Sequence, residues 1–554
     1  MNDIIEELAL SALVEAVPEF LSGQDKKSGK FLPTKNSSAP KNNWVYSIYD
    51  QSPHYPLALL YKTSDSRNPY YRSAKLFAAA VKGADSLADS QGRNGGFKLV
   101  IGGKDWGYYP LNWQVYHWLR TYELLRDDLD VLTAKRWEKG LKLAVTHIER
   151  AVIRPYVRTG RKHTSYNHIA WYLACVAKAG QVFGEKNRIT YALKAFKNTA
   201  PWVFDGCGQW RDVEPDIYSI GYSTLTLHAV SLLQEITKDR TLFGYIRKTV
   251  KLLAHFSYSP AKYIETLDFR MRYGFCGAYG LNAFLASGKY GRIPLLFLKE
   301  YKKALRSGTA ARINTNVPLI ADLIFRRGKG GFSAKMPFEK KRYFYREKKG
   351  LALVNKYGEW QYSLSAYCPK GDPANVYTLE AQSHVSAYNH RTGLIIGGGN
   401  SKHQPEFSNF TFKNGKDYRA KTGSLKGSKL RLNYDSGSGE IEAQIAGKEL
   451  VLRTSAKGEA SLTGLQLQAL LGDRIQINGR NFVLGRKSLK LPLEKKANRL
   501  VIKGKAKLLI PSGGVFVWPV KPHNPYTADN KTGPAGWVSF IYLKSRENEV
   551  RVRI

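Results

Sequence analysis

The chain has 554 residues, which is too long for one ordinary hydrophobic core and predicts two or three domains. Its 43% hydrophobic and 12% aromatic residues exclude a disordered chain. The 86 Lys and Arg residues against 45 Asp and Glu give a net charge of +41. Such a field favours polyanionic partners, namely nucleic acid, acidic polysaccharide or an anionic membrane surface. No run of 18 apolar residues is present, so we expect no transmembrane helix.

The N-terminal segment has helical periodicity over residues 3–22, and a polar stretch rich in Lys, Ser and Pro follows from Gln24 to Asn43. We interpret residues 1–43 as an N-terminal helix with a polar linker. Acidic residues stand near the start, where a secretory signal would be basic. We therefore expect a protein that stays inside the cell, or one that is secreted or periplasmic if a leader has been removed.

From residue 70 onward the chain consists of amphipathic segments whose apolar residues recur at spacings of three and four. The predicted helices are Tyr71–Ala88, Asn112–Asp127, Leu132–Arg150, Asn167–Val182, Arg188–Thr199, Tyr218–Ile236, Leu242–Phe256, Phe275–Ala286 and Ile293–Ala304. Two helices with their turns occupy roughly forty to fifty residues, which is typical of helical hairpins. Residues 44–325 are therefore predicted to form an incomplete α/α toroid, which we take as the catalytic domain.

After residue 326 the segments become short and rich in β-branched and aromatic residues, with Gly, Asn, Asp and Lys turns between them. The predicted strands are Arg342–Arg346, Leu351–Val354, Trp360–Ala366, Leu394–Ile396, Ile441–Ile445, Glu449–Arg453, Leu500–Ile502, Gly514–Val520 and Gly536–Leu543. Residues 326–554 are predicted to form an antiparallel β-sandwich. The fold class is thus multidomain α + β, an α/α toroid followed by a sandwich.

Asn167 and His168 open a long apolar helix and are the first candidates for chemistry. Asn is also a good N-cap, so a structural role competes with a catalytic one. Several polar aromatic residues surround the pair in the sequence, which favours function. Neutral and cationic groups of this kind suit a substrate that carries a carboxylate.

A charged loop forms the second element and runs from Trp210 through Arg211 towards Tyr218 and Tyr222. The two tyrosines are predicted to lie one turn apart on one face of a helix. The competing interpretation is that both tyrosines fill the core, as most of the 34 tyrosines must.

Two further segments carry candidate substrate-binding side chains. An aromatic loop suited to stacking on sugar rings contributes Trp106, Tyr108, Asn112 and Trp113. A segment of the β domain contributes an imidazole and a phenol, from His384 and Tyr388.

Asn-His at a helix start, followed by Arg and Tyr some fifty residues later, resembles the polysaccharide lyases built from an α/α toroid plus antiparallel sheets. This group includes alginate lyases, heparinases, and chondroitin and hyaluronate lyases. The chain departs from the heparinase type, whose β domains often carry a His/Asp metal cluster. Near His384 stand His390 and His403, without a clear carboxylate partner in the sequence. The four cysteines also lack metal spacing, so we predict no metal and no cofactor.

The resemblance implies β-elimination at a uronic acid of an acidic polysaccharide. Asn167 and Arg211 would then neutralise the sugar carboxylate while negative charge builds up on it. Tyr218 would protonate the leaving oxygen and take the C5 proton when both lie on one face, and His168 would be the base for the opposite face. Tyr222 is the alternative tyrosine. A free phenol has a pKa of about 10, so a tyrosine base needs cationic neighbours, for which Arg211 is the candidate.

Two other functions remain open from the sequence. A toroid-type glycoside hydrolase would use the carboxylates of Glu214 and Asp216, with Asp105 as a further partner. A non-catalytic protein that binds glycan or nucleic acid would use the basic aromatic segment from Lys340 to Lys349. No helix-turn-helix, RNP or zinc-finger pattern is found, which argues against nucleic acid as the partner.

Overall fold

The computed structural model describes residues 2–32, 51–101, 104–160, 165–212, 214, 217–270, 277–310, 313–324, 332–397, 399–459, 461–495, 497–510, 512–525, 527 and 529–554. The chain forms two compact units. Unit 1 comprises Met1–Val213, Ser223–Lys251 and Gly277–Ala334, and unit 2 comprises Glu214–Tyr222, Leu252–Cys276 and Lys335–Ile554. The predicted domain boundaries after residues 43 and 325 stay a prediction. Within the described ranges, no helix is both long enough and apolar enough to cross a membrane.

The first part of the chain is helical, as predicted. Its helices are α1 (Asn2–Gly23), α2 (His54–Lys62), α3 (Ala74–Asp89), α4 (Asn112–Leu125), α5 (Val131–Ile148), α6 (Arg154–Thr159), α7 (Tyr166–Val182), α8 (Lys186–Val203), α9 (Ile220–Thr237), α10 (Leu242–His255), α11 (Leu281–Ser287), α12 (Arg292–Arg306) and α13 (Ile313–Ile324). Helix α9 begins two residues later than predicted, so Tyr218 precedes the helix. The prediction that Tyr218 and Tyr222 share one helix face is therefore wrong.

Helical hairpins pack side by side in unit 1, as α2 does with α3 and α7 with α8. Helix α1 packs against α12 and α13, so the first helix meets the last two. The centre of the helical unit is apolar along α7, where Trp171, Leu173 and Val176 are completely buried. A short hairpin of β1 (Phe97–Ile101) and β2 (Lys104–Tyr109) leads directly into α4.

Unit 2 is built from antiparallel strands. After the small pair β3 (Ser257–Ser259) and β4 (Lys262–Tyr263), the strands are β5 (Arg342–Arg346), β6 (Ala352–Tyr357), β7 (Trp360–Ser365), β8 (Val385–Asn389), β9 (Gly393–Ile396), β10 (Phe410–Thr411), β11 (Thr422–Lys426), β12 (Lys429–Asn433), β13 (Gly437–Ala446), β14 (Glu449–Gly458), β15 (Leu462–Leu467), β16 (Arg474–Ile477), β17 (Arg480–Val483), β18 (Leu489–Leu493), β19 (Asn498–Ile502), β20 (Ala506–Ile510), β21 (Gly514–Val520), β22 (Val538–Leu543) and β23 (Glu547–Arg553).

These strands form two large sheets in the described residues. One has the order β18-β21-β22-β15-β9-β8-β7-β6-β5, with β10 paired to β15. The other has the order β11-β12-β13-β14-β23-β20-β19-β16-β17. Alternate residues of each strand face one shared core, where Tyr362 and Phe516 of the first sheet join Leu452 and Leu508 of the second. The predicted β-sandwich is thus confirmed, and β5 lies at an edge of its sheet with Phe344 56% exposed.

Candidate functional site

The candidate residues are distributed over both units. Asn112, Asn167, His168 and Arg211 belong to unit 1. The predicted aromatic loop is not a loop, because Trp106 and Tyr108 lie in strand β2 and Trp113 lies in helix α4, all in the same unit. Tyr218, Tyr222, His384 and Tyr388 belong to unit 2.

In unit 1 the start of α7 brings an amide and an imidazole together. Asn167 is 3% exposed, and its Nδ2 donates to Ser165 Oγ, which in turn donates to Asp212. His168 is half-buried and its Nδ1 lies 3.0 Å from Asn112 Nδ2. The partial positive charge of a helix N-terminus adds to the donors at this place. The arrangement suits an anion rather than a cation.

The amide of Asn112 fixes the tautomer of His168. Asn112 Oδ1 accepts from the Trp113 backbone N–H at 3.0 Å, which turns Nδ2 towards the imidazole. Because Nδ2 can only donate, His168 Nδ1 accepts and the ring proton sits on Nε2. In this state His168 is a hydrogen-bond donor at Nε2, whereas a base at that atom would need the proton on Nδ1.

Aromatic rings hold His168 in place. The ring of Trp113 lies 5.3 Å from the imidazole and that of Tyr109 lies 6.2 Å away, both edge-on. Trp113 is only 8% exposed and Asn112 only 1%, so both support His168 rather than offer an open stacking surface. Tyr108 is 58% exposed on the β1–β2 hairpin and remains available for a sugar ring. The side chain of Trp106 lies outside the described residues.

Arg211 follows a short turn whose last aromatic residue, Trp210, packs against the start of α7. Asp205 Oδ1 accepts from the backbone N–H groups of residues 207, 208 and 209, and the isolated bridge between Phe204 and Trp210 closes the turn. Trp210 stacks on Tyr166 at 5.5 Å with an interplanar angle of 8°, and its Nε1 donates to Thr249 Oγ1 at 3.0 Å. The ring stack therefore places half-buried Arg211 one residue from a side chain anchored to α7.

In unit 2 the phenol of Tyr218 has a cationic neighbour that the sequence analysis did not assign. Lys349 Nζ donates to Tyr218 Oη at 3.2 Å and lies 4.8 Å from the centre of its ring. Tyr367 packs edge-on against Tyr218 at 6.1 Å. Tyr218 is 2% exposed, whereas Lys349 is exposed. The ammonium stabilises negative charge on the phenol oxygen during a proton transfer.

A buried carboxylate determines where Lys349 stands. Glu347 is 3% exposed, and its carboxylate accepts from the backbone N–H groups of Lys349, Leu351 and Ala352. Gly350 completes the turn with φ of 72°, a conformation that favours glycine. Spacing alone does not reveal such a turn, although the Lys348-Lys349-Gly350 run signals a bend between two strands.

Tyr222 lies in the first turn of α9 and is half-buried. The guanidinium carbon of Arg270 lies 5.0 Å from its ring centre and 5.6 Å from that of Tyr377. Asp268 holds this corner, since it accepts from Ser219 Oγ and from the Gly221 N–H at 2.8 Å. Exposure thus favours Tyr222 as the reactive phenol, and the ammonium contact favours Tyr218.

His384 does not have the surroundings of a substrate-binding residue. It is 2% exposed, its Nδ1 donates to the Ser365 carbonyl at 2.9 Å, and burial lowers the pKa of its imidazole to about 4. The structure therefore favours a neutral core histidine over the predicted sugar contact. Tyr388 is half-buried and stacks on Tyr258 at 4.5 Å, with Lys262 Nζ 5.3 Å from its ring.

The carboxylates that a hydrolase would need have other partners. Glu214 accepts from Asn375 Nδ2 at 2.5 Å, from Thr378 Oγ1 at 3.2 Å and from the Asp372 N–H, so it anchors the loop around residue 375. Asp105 is exposed and pairs with Lys98, and the Gly107 N–H lowers the pKa of its carboxyl. Asp216 lies outside the described residues. None of these placements favours the hydrolase alternative.

The expectation that His403 lacks a carboxylate partner is wrong, because Glu380 Oε1 lies 3.3 Å from its Nδ1. Glu380 also contacts Arg419 at 3.3 Å, so the carboxylate is shared between two side chains. Among the described residues, there is no group of three or more His, Cys, Asp or Glu side chains that could hold a metal ion.

No protein-family model and no curated protein matches this sequence. Solved structures do match. The chondroitin AC lyase of Streptomyces coelicolor, solved in complex with chondroitin sulphate, is 10% identical with a TM-score of 0.51, over 100% of this chain and 82% of that one. A heparan sulfate lyase mutant from Pedobacter heparinus is 11% identical with a TM-score of 0.41, over 99% and 82%. A chondroitin lyase of the baculovirus envelope is 8% identical with a TM-score of 0.42, over 100% and 84%. The chain therefore has the fold of the polysaccharide lyases that join an α/α toroid to antiparallel β-sheets, as the resemblance in its sequence predicts.

Proposed function

We propose that this protein is a polysaccharide lyase that cleaves an acidic, uronate-containing polysaccharide by β-elimination. The observation that carries the proposal is the grouping of donors at the start of α7. There Asn167, the Asn112–His168 pair and the turn that bears Arg211 are tied together through Ser165, Asp212 and the stack of Trp210 on Tyr166. The fold supports the same conclusion, since a chondroitin AC lyase shares it.

The roles follow from the charges that the reaction creates. When a base removes the C5 proton, the electron pair of the C–H bond forms the C4–C5 double bond and the C4–O glycosidic bond breaks. Negative charge builds up on the sugar carboxylate in the transition state. Asn167 and Arg211 supply an amide and a guanidinium to that carboxylate, and His168 adds an Nε2–H donor.

Tyr218 takes the proton-transfer roles. With the ring proton of His168 on Nε2, the lone pair on Nδ1 is occupied by Asn112 and the imidazole is not free to act as the base. The phenolate form of Tyr218, which Lys349 stabilises, therefore takes the C5 proton and becomes the phenol. The phenol proton then passes to the leaving oxygen, which restores the starting state. His168 acts as the base instead if its proton moves to Nδ1, and Tyr222 is the alternative phenol. Tyr108 and Tyr388 are proposed to contact the sugar chain.

The proposed partner is an acidic polysaccharide, and the roles above use side chains alone, without a cofactor. The net charge of +41 would concentrate such a polymer near the protein surface. We further propose that the protein is secreted or periplasmic, where such polymers are found, if a leader has been removed from the chain.

The test is incubation of the protein with chondroitin sulfate, heparan sulfate, hyaluronate and alginate. We expect at least one polymer to give products whose conjugated double bond absorbs ultraviolet light, with one new unsaturated end per cut. Saturated products would indicate hydrolysis instead. If the folded protein produces no new chain ends from any polymer, the result would argue against both the lyase and the hydrolase. The non-catalytic binding protein would then be the remaining function.

A further inference from the structure

A groove to which no role has been assigned lies on the outer face of the sheet that runs from β18 to β5 in unit 2. Its volume is about 540 Å³, in the range of small-molecule binding sites. Val515 and Val517 of β21 line it, whereas Phe516 and Trp518 point the other way into the sandwich core. The groove therefore lies on the sheet face turned away from the core.

Four lysines line this groove: Lys490, Lys521, Lys531 and Lys544. All four are exposed, and in the part of the chain that the structure describes no salt bridge joins any of their ammonium groups to a carboxylate. One carboxylate, that of Glu406, is also present in the lining. The excess of three positive charges selects an anionic occupant.

The floor of the groove is apolar and rigid. Tyr542 stacks on Phe540 with ring centres 5.6 Å apart and an angle of 5°, and its hydroxyl donates to the Glu406 carbonyl at 3.0 Å. Phe540 covers one face of this ring, and the ring forms part of the apolar floor together with Val515 and Val517. An apolar floor beneath exposed ammonium groups suits a ring with C–H groups on one side and anionic groups at its rim.

We propose that this groove is a second, non-catalytic binding site for an acidic polysaccharide. A stretch of the chain lies on Val515, Val517 and Tyr542 while its carboxylate or sulfate groups pair with the lysines. None of these residues belongs to the candidate catalytic set. The inference rests on the proposed function only for the choice of polymer. A grip on the chain outside the reacting sugar would keep a long substrate bound between cuts and would lower the KM for polymer but not for short fragments.

The test compares two variants of equal charge in affinity electrophoresis through gels that contain chondroitin sulfate. One carries Lys→Gln at residues 490, 521, 531 and 544. The control carries Lys→Gln at four exposed lysines of the other sheet and its turns, residues 426, 457, 503 and 507. Both are made in the full chain with Tyr218→Phe, so that the polymer is not consumed. Surface lysines leave the fold intact, which thermal unfolding verifies.

We expect the groove variant to lose affinity by about tenfold or more, since each exposed ion pair contributes a factor of roughly two to five. The control should lose less than about threefold through the weaker overall field. Equal losses in both variants, no loss in either, or no retention of the parent protein would overturn the inference. So would tighter retention by single-stranded DNA of matched charge. Because retention needs no cleavage, these outcomes do not depend on whether the protein proves to be a lyase.

Discussion

At the scale of single residues, the reactive phenol must be identified first. Tyr218 and Tyr222 are four residues apart, but their surroundings differ: one has an ammonium at its oxygen and the other has a guanidinium over its ring. Tyr218→Phe removes the proposed acid and base and should lower kcat by about 10²- to 10⁴-fold with KM little changed. Tyr222→Phe, the matched control, should change kcat by less than about fivefold. The reverse ranking would move the role to Tyr222.

Lys349 provides a second test at this scale, because it touches the phenol without being the acid or base. Lys349→Met should lower kcat about tenfold or more and shift the pH–rate profile, since the phenolate loses its counter-charge. Lys349→Arg should restore much of the rate. Lys348→Met removes the adjacent exposed lysine and serves as the control. If Lys349→Met and Lys348→Met lower kcat equally, the effect comes from the overall positive charge and not from the contact between Lys349 and the phenol.

The sequence pattern predicted the helix start at Asn167 and His168 better than it predicted the hydrogen-bond partners of these residues. Asn167 and His168 do open a helix, but the hydrogen bond from Asn112 that sets the tautomer crosses 56 positions of the chain. A cation beside Tyr218 is Lys349, 131 positions away in the sequence. Such partners are fixed by tertiary packing, which local patterns do not encode.

At the scale of elements, the turn that carries Arg211 depends on one indole. Trp210→Phe keeps the stack on Tyr166 but deletes the hydrogen bond to Thr249, and it should lower the free energy of unfolding by about 1–2 kcal/mol. Because the turn positions Arg211, kcat should fall by more than the loss of folded protein accounts for.

Trp137→Phe is the matched control for Trp210→Phe. Trp137 is also completely buried and donates its Nε1 to Asp85 at 2.7 Å. Chemical denaturation of both variants together with their kcat values checks the prediction. A Trp210 variant that loses stability but keeps full kcat would show that the turn only supports the fold.

The helices and strands were predictable where the periodicity is strong and unbroken. Helix α7 was placed within one residue of its observed start, and β5 and β21 were placed without error. Helices α2 and α13 were missed because each is short and nearly fully buried, so no polar face marks its period. Some of the missed strands, such as β16 and β17, have only four residues and alternate too few times to stand out.

At the scale of the whole molecule, buried histidines should make the fold sensitive to acid. Burial lowers the pKa of His54 to about 3 and those of His117, His384 and His390 to about 4. Each is neutral in the folded chain and takes up a proton near pH 6.5 once unfolded. The free energy of unfolding is therefore not reduced by these histidines above pH 6.5, and it decreases as the pH falls from 6.5 towards 4. At pH 5 the decrease is on the order of 2 kcal/mol per histidine.

Urea unfolding between pH 7 and pH 5 checks this dependence. Between pH 7 and pH 5, the free energy of unfolding should decrease less in His384→Gln than in the parent protein, by the contribution of one histidine. A parent protein whose stability does not change across this range would contradict the assignment of neutral buried imidazoles.

The position of β5 at the rim of its sheet has a consequence for the protein at high concentration. An edge strand with an exposed Phe344 can pair with the same strand of a second molecule and extend the sheet, which is the first step towards fibres. If the β5 strands of two copies paired antiparallel with Phe344 opposite Phe344, Arg342 of each copy would lie opposite Arg346 of the other. The pairing would therefore contain two such arginine pairs. Like charges placed directly opposite each other repel, so we expect this arginine pair to oppose the growth of a continuous sheet across molecules.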